Sequence, residues 1–384
     1  MTARNVNTAV VVAGQDIPCL SWKVVLSSNG TIATVNAETT VSLLQAYGID
    51  LLDDISATDG AEVDIYAGYD GSSTHIFGGV LDTFDPDFKS DRVKIAGRDH
   101  GAVLADSKDV VSKINYKNQT IGQIVQQIAD QNGLTANDTD PGIKAGPVLW
   151  DENNYTPHPQ PWWSILQHLA EQVGYEVYVT PDKELYFGPE QSAGSFEFSW
   201  GAPPDSGAQY PLIELKGSYS PRNNANFTVK VISYHPQYAQ HVSGTASPSS
   251  NVLRGRRRKS KTEIVTLRGN TGRSSRGRSG SKPSKLPTYT YRLDGLTPEQ
   301  ANKKAQGIAD DIAKREVIIE GKLEGLPSLK IHSNLTLQEK TLPLLGFDGL
   351  DYSVSEVTHS FGMPGSGSEG GYMTEFKAMA SLGG

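Results

Sequence analysis

A chain of 384 residues with 39 Gly and 21 Pro is too long for one small core and fits two or three domains of turn-linked strands. One cysteine, Cys19, excludes an intrachain disulfide and a cysteine-based zinc cluster, and the polar start MTARNVNTAV, with no long apolar run after it, sets the expectation of cytoplasmic synthesis without a membrane anchor. The formal charge of −8 is uneven: from Arg254 to Lys285 twelve Lys or Arg stand against the single acid Glu263, a local +11 that leaves −19 for the rest.

Residues 7 to 105 read as short strands separated by Gly, Asp and Ser clusters. In EVDIYAG, Val63, Ile65 and Ala67 alternate with Asp64 and Tyr66, the period of a strand buried on one face. Closure removes exposed edges, so this region, residues 1–105, is expected to form a β-barrel. The period changes near residue 118. In NQTIGQIVQQIADQNGL, Ile121, Ile124, Val125 and Ile128 share a helical face, Thr120 and Gln123 are spaced as a capping box, and Gly133 is the stop. A second helix, QPWWSILQHLAEQVGY, carries Trp162, Leu166, Leu169 and Val173 at helical spacing and ends at Gly174. A hairpin follows with Pro181-Asp182 at its turn, which completes a small α/β domain over residues 106–200.

Strands resume after a turn-rich bridge, and residues 201–384 are expected to form a second barrel with one helix laid against it. That helix, LTPEQANKKAQGIADDIAKRE, has Thr297 and Gln300 as a capping box, Pro298 at its first position, and Ala301, Ala305, Ile308 and Ile312 as its apolar stripe. The basic run falls in an insertion at about residues 236–286, within which TEIVTLR alternates like a short strand or ribbon. The fold class is therefore mainly β with an α+β insert.

Motifs for chemistry are sparse. GSGSEG, Gly365 to Gly370, matches a dinucleotide fingerprint in letters, but strands flank it on both sides, and a pyrophosphate site needs a following helix; it reads as a hairpin loop. No phosphate loop, nucleophile elbow or paired metal-binding histidines occur, so neither cofactor nor metal nor catalytic residue is assigned. The pairs Asp53–Asp54 and Asp85–Asp87 lie in loop-like stretches and need a cleft that spacing alone does not supply. Trp162 belongs to the helical stripe and reads as core; Trp163 is open to either core packing or sugar stacking. Packed into a Gly/Ser-rich run, the basic residues Arg254, Arg256, Arg257, Arg258, Lys259, Lys261 and Arg268 are read as a partner-binding element rather than a nucleic-acid domain.

The order of these pieces resembles the baseplate hub proteins of contractile-tailed phages, the late control protein D family, which is similar to the base of type VI secretion spike proteins. The residues that carry the resemblance are Gly97, Arg98 and Asp99 at the end of a strand, the helix from Thr120, the helix through Leu166, Leu169 and Gly174 with Tyr175, and REVIIEGKLEGLPSLKIHSNLTLQ near the end. It covers most of the chain outside residues 236–286. The resemblance implies two tail-tube-like β-barrel domains flanking the small α/β domain. It also implies a homotrimeric ring in the virion tail that joins a six-fold tail tube or tube-initiator protein to a three-fold central spike protein, contacts other baseplate subunits, and lets DNA pass without specific binding. No lysozyme-like segment or long β-helix repeat is present, so the piercing spike is expected to be another chain. Two other readings stand beside this one: a carbohydrate-binding or adhesin-like tail protein, and a tail-associated peptidoglycan hydrolase.

Overall fold

The computed structural model describes residues 5–28, 30–57, 60–107, 119–143, 161–202, 209–220, 227–235, 240–249, 287–293, 296–364 and 370–381. Strands β1 (Val6–Val12), β2 (Gln15–Ile17), β3 (Ser21–Ser27) and β4 (Thr34–Thr39) lead to two short helices, α1 (Val41–Ala46) and α2 (Leu51–Ala57). Next come β5 (Glu62–Tyr69), β6 (Thr74–Asp87), β7 (Arg92–Asp99) and α3 (Gly101–Asp106). The middle of the chain supplies α4 (Ile121–Gln131), β8 (Thr135–Asp138), α5 (Trp162–Val173), β9 (Glu176–Val179) and β10 (Glu184–Gly188). The remainder is β11 (Ser195–Trp200), β12 (Leu212–Tyr219), β13 (Thr228–His235), β14 (Gln240–Ala246), β15 (Thr288–Arg292), α6 (Pro298–Lys314), β16 (Val317–Glu324), β17 (Asn334–Glu339), β18 (Asp351–Gly362) and β19 (Gly371–Ala380). The fold is mainly β, as the composition requires, and no helix among the described residues is long and apolar enough to cross a membrane.

The chain divides into two compact units: Met1–Gly217 with Ile319–Ala378, and Ser218–Ile318 with Met379–Gly384. The first holds a 13-stranded sheet in the order β12-β16-β19-β18-β3-β4-β7-β6-β5-β1-β2, with β17 branching from β18 and β11 beside β17. Its junction is the antiparallel pair β18–β3, where His359 stands opposite Val24, so the first and last parts of the chain share one sheet. One face is apolar. Val10, Val12, Trp22, Val24, Val35, Val63, Ile65, Phe77 and Ile95 form a core that Leu44 of α1 and Leu51 of α2 cap. Those two helices are absent from the sequence reading: each is a turn or two long, too short for a period to register.

The middle segment packs α4 and α5 on a three-stranded sheet in the order β8-β10-β9, with β8 parallel to β10. The Thr120–Gln123 capping box is present, and Gly174 closes α5 in the left-handed region at φ 74°. Trp162 and Trp163 are both buried; the Trp163 indole N–H donates to the Gly30 carbonyl at 3.0 Å, which removes it as a sugar platform.

In the second unit α6 lies on a separate three-stranded sheet in the order β14-β13-β15, rather than on the large sheet. Its capping box is formed and Pro298 opens it. The buried stripe is Ala301, Ala305, Ala309 and Ala313; Ile308 and Ile312 flank it half-buried. Small side chains let helix and sheet backbones approach, and Gly244 of β14 completes the fit: a Cβ there would sit 2.3 Å from the Ala301 carbonyl carbon.

Candidate assembly surface

The first unit holds its small α/β segment against the large sheet at three places. At the β9–β10 turn, Asp182 Oδ1 lies 3.0 Å from His75 Nδ1, Asp64 Oδ1 lies 3.0 Å from His75 Nε2, and Lys183 pairs with Glu62. The hydrogen bond to Asp64, opposed by partial burial and helped by Asp182, raises the His75 pKa. Backbone meets backbone directly here, because a Cβ on Gly78 would lie 2.5 Å from the Pro181 carbonyl oxygen. At the second place α5 reaches back through Trp163 and Gln167, both donating to Gly30 O.

The third place is His332, buried and held at φ 63° just before β17. Its Nε2 is 2.6 Å from Glu176 Oε2 on β9, and its Nδ1 is 3.5 Å from Glu190 Oε1. Ser353 Oγ on β18 donates to that same Glu190 oxygen at 3.1 Å. One ligand atom from each of the three residues falls within 4.8 Å of the others, a spacing compatible with a metal. The two carboxylates, however, face different ring nitrogens and so neutralise an imidazolium from both sides, with the contact at Nε2 a close ion pair rather than an aligned hydrogen bond. Burial works against the charge, but the carboxylates of Glu176 and then Glu190 outweigh it and hold the pKa up at about 9.

Gly97, Arg98 and Asp99, the last three residues of β7, do comparable work. A bulge in β6 between Leu81 and Thr83 sets Asp82 out of register. Arg98 then grips Asp82 with two bonds of 2.7 Å and Asp106 of α3 with bonds of 2.8 and 3.2 Å. The guanidinium holds the Asp106 carboxyl below its ordinary range. Asp99 is buried and accepts from the backbone N–H of Ala33 and Gly101; burial nevertheless pushes its carboxyl up to about 6.

What remains outward is charged and laddered. On β6 and β7, Asp85 stands opposite Lys94 and Asp87 opposite Arg92, while Arg92 also reaches Glu38 at 3.4 Å. Asp85 and Asp87 are therefore strand residues with basic neighbours, and Asp53 and Asp54 sit in the first turn of α2; neither pair lies in the loops expected for it. Across β12, β16, β19 and β18, Glu214, Glu320, Glu356 and Glu375 interleave with Lys216, Lys322 and Lys377 around a shallow depression. Lys377 meets Glu320 at 3.2 Å and Lys322 meets Glu375 at 3.6 Å. On the terminal strand β12 Ile213 is 50% exposed, and two residues before Phe347, whose ring lies against Gly217 of that strand, Leu345 is 90% exposed in left-handed backbone at φ 52°. A sheet edge with exposed apolar residues is an association surface by its chemistry.

The seven basic residues singled out from the sequence, Arg254, Arg256, Arg257, Arg258, Lys259, Lys261 and Arg268, lie outside the described residues, as do TEIVTLR and residues 365–369. Where their segment is rooted is defined. β14 runs antiparallel to β13 and ends with Ala246 opposite Val229, while β15 runs parallel to β13 and begins with Thr288 opposite Thr228. The basic segment thus leaves and re-enters at the same end of the small sheet, on either side of β13. Ser249, at its start, is bonded through Oγ and N–H to Asp310 of α6 at 2.6 and 2.8 Å. Residues 365–370 lie between β18 and β19, so strands flank that stretch as its hairpin reading requires.

No protein-family model matches the sequence, and no curated protein matches it. Solved structures do match in fold. A tail protein from Neisseria meningitidis MC58 superposes with a TM-score of 0.62 at 11% identity, over 97% of this chain and 96% of that one. The 43 kDa tail protein of prophage MuSo2 from Shewanella oneidensis gives 0.60 at 14% identity, over 97% of each chain. A component of the type VI secretion system from E. coli gives 0.48 at 12% identity, over 97% of this chain and 76% of that one. The resemblance seen in the sequence is met by the fold.

Proposed function

We propose that this chain is a structural protein of a phage tail or tail-like particle, and within it the baseplate hub. The observation that carries the reading is the fold shared with two tail proteins over nearly the whole length of both partners, small sheet and α/β segment included. The role suits the architecture: an α/β segment pinned at three places makes a stiff body, and free sheet edges with exposed apolar residues offer contacts to neighbours. In this reading three copies close a ring that adapts a six-fold tube to a three-fold spike, with the large sheet of each chain supplying the two barrel-like walls that line the channel. The basic residues from Arg254 to Arg268 meet acidic surface on a neighbouring subunit or the spike. Glutamates outnumber lysines around the depression on β12, β16, β18 and β19, which favours a bore that DNA crosses without sticking.

The protein is then no enzyme. Against the sugar-binding alternative stands the burial of both Trp162 and Trp163, and the carboxylate pairs that a glycosidase would need sit on a strand facing bases or on a short helix. Solution mass and negative-stain images of the purified protein, alone and with the spike protein, test the hub. The expected outcome is a three-fold ring with a central hole; a monomer in both states overturns it.

A further inference from the structure

The charge of this protein is divided between its two units. Of the 35 Lys and Arg, 19 lie in residues 218–318 together with six acids, a net +13 of which residues 254–285 supply +11; with −8 for the whole chain this leaves −21 for the first unit. Within the second unit the division is sharper still. β13, β14 and β15 contain no Asp or Glu at all, and the acids of α6 belong to the opposite side of the sheet.

Register shows what the uncovered face presents. With Val229 and Val231 turned toward α6, the alternate residues of β13 point away from it. Lys230 stands between Thr245 of β14 and Thr290 of β15; Ile232 stands between Ser243 and Arg292; Tyr234 pairs with His241. The flanking positions of β14 and β15 are exposed, and Tyr234 is 42% exposed. The result is a flat face with two fixed cations, hydroxyl groups, one half-buried isoleucine and no acid. The basic segment is rooted at the Thr228 end of the same sheet.

We infer that this open face of the β14-β13-β15 sheet is a docking surface for the acidic first unit of a second copy of the chain. Charge complementarity selects that occupant: the largest acidic surface the protein is certain to meet in an assembly of its own copies is the −21 unit. Duplex DNA is the weaker fit, because the chain as a whole is acidic and a net negative protein repels phosphates. The inference rests on the ring reading and adds to it which surface makes the contact and by what force.

The test uses full-length protein and the double variant K230E/R292E, compared by sedimentation at low and high ionic strength, alone and with the spike protein. Both substituted side chains lie on the face away from α6, so circular dichroism and melting should match the unaltered protein. The expected result is an oligomer that dissociates as salt rises, and a variant whose association is weakened at least about tenfold at low salt. An oligomer untouched by the substitutions overturns this inference and leaves the hub reading intact. A monomer under every condition overturns both. Anisotropy with a labelled duplex supplies the remaining arm: if the variant loses DNA binding while the oligomer persists, the face serves nucleic acid and the inference falls.

Discussion

Two buried histidines give the protein opposite responses to pH. His359 on β18 is fully enclosed, with Nδ1 2.9 Å from the Tyr372 hydroxyl and Nε2 3.3 Å from Leu329 O, and burial lowers its pKa to about 4. The unfolded chain takes up a proton near 6.5 and the folded one does not, so this contribution to stability is present above 6.5 and is lost as pH falls toward 4. The loss should reach about 3 kcal/mol, and urea titrations at stepped pH should show H359Q flattening the acid limb. His332 runs the other way. Its folded pKa of about 9 lies above the unfolded value, so its contribution is full below 6.5 and disappears as pH rises through 9. Because Glu190 is partly solvated, the expected size is on the order of 1–2 kcal/mol, and H332Q should abolish the alkaline part of the decline. Neither role was legible in the sequence. Glu176 and Glu190 lie far from His332 in the chain, and a left-handed backbone at histidine has no sequence signal as plain as glycine's. Trp162 shows the converse: a residue on a periodic stripe is core, and the sequence says so.

Elements were legible where they carry local chemistry. Thr120 with Gln123, Thr297 with Gln300, Pro298 and Gly174 stop and start helices by bonds within a few residues, and all are found in those roles. β8 and β15 carry little sequence signal because their partners are remote and TYTYR is exposed at every position, and β14 because its buried face offers only Val242 and Gly244 between polar residues. The stripe of α6 was legible in part. Ala301 and Ala305 are buried as expected, but Ala309 and Ala313 complete the buried stripe while Ile308 and Ile312 pack at its margin, and at Ala301 the β14 backbone at Gly244 comes too close for anything larger. That closeness is testable. Gly244→Val forces a branched side chain into the Ala301 carbonyl, and overpacking of this kind costs about 1–3 kcal/mol. Hydrogen exchange should quicken across α6, β13 and β14 while the large sheet keeps its protection; uniform protection in the variant would mean that the helix shifts without cost.

At the scale of the whole molecule, what sequence could not reach is the sharing of one sheet by the two ends of the chain. Reading stretches in order gives a block at 1–105 and another at 201–384, but β18 pairs with β3, and a pairing of that span is decided by burying Trp22 and Val24 beside Tyr372, not by local pattern. The charge division, by contrast, was legible from the start as a basic run in an acidic chain, and it leads to an expectation about assembly. The run is rooted at one end of the small sheet, by strands that pair with β13 on both sides and by Ser249 on Asp310, so removing residues 254–285 and joining the stems by a short Gly/Ser bridge should leave melting unchanged. If the twelve cations of the run act on acidic neighbours, binding of the intact protein to its assembly partners must fall steadily with salt, since each exposed ion pair is screened. The shortened protein should bind more weakly at low salt and depend much less on salt, so that the two curves converge at high ionic strength. Parallel curves would mean that the run contributes bulk or shape but no charge, and a shortened protein that assembles as well as the intact one at every salt concentration would remove the run from the interface altogether.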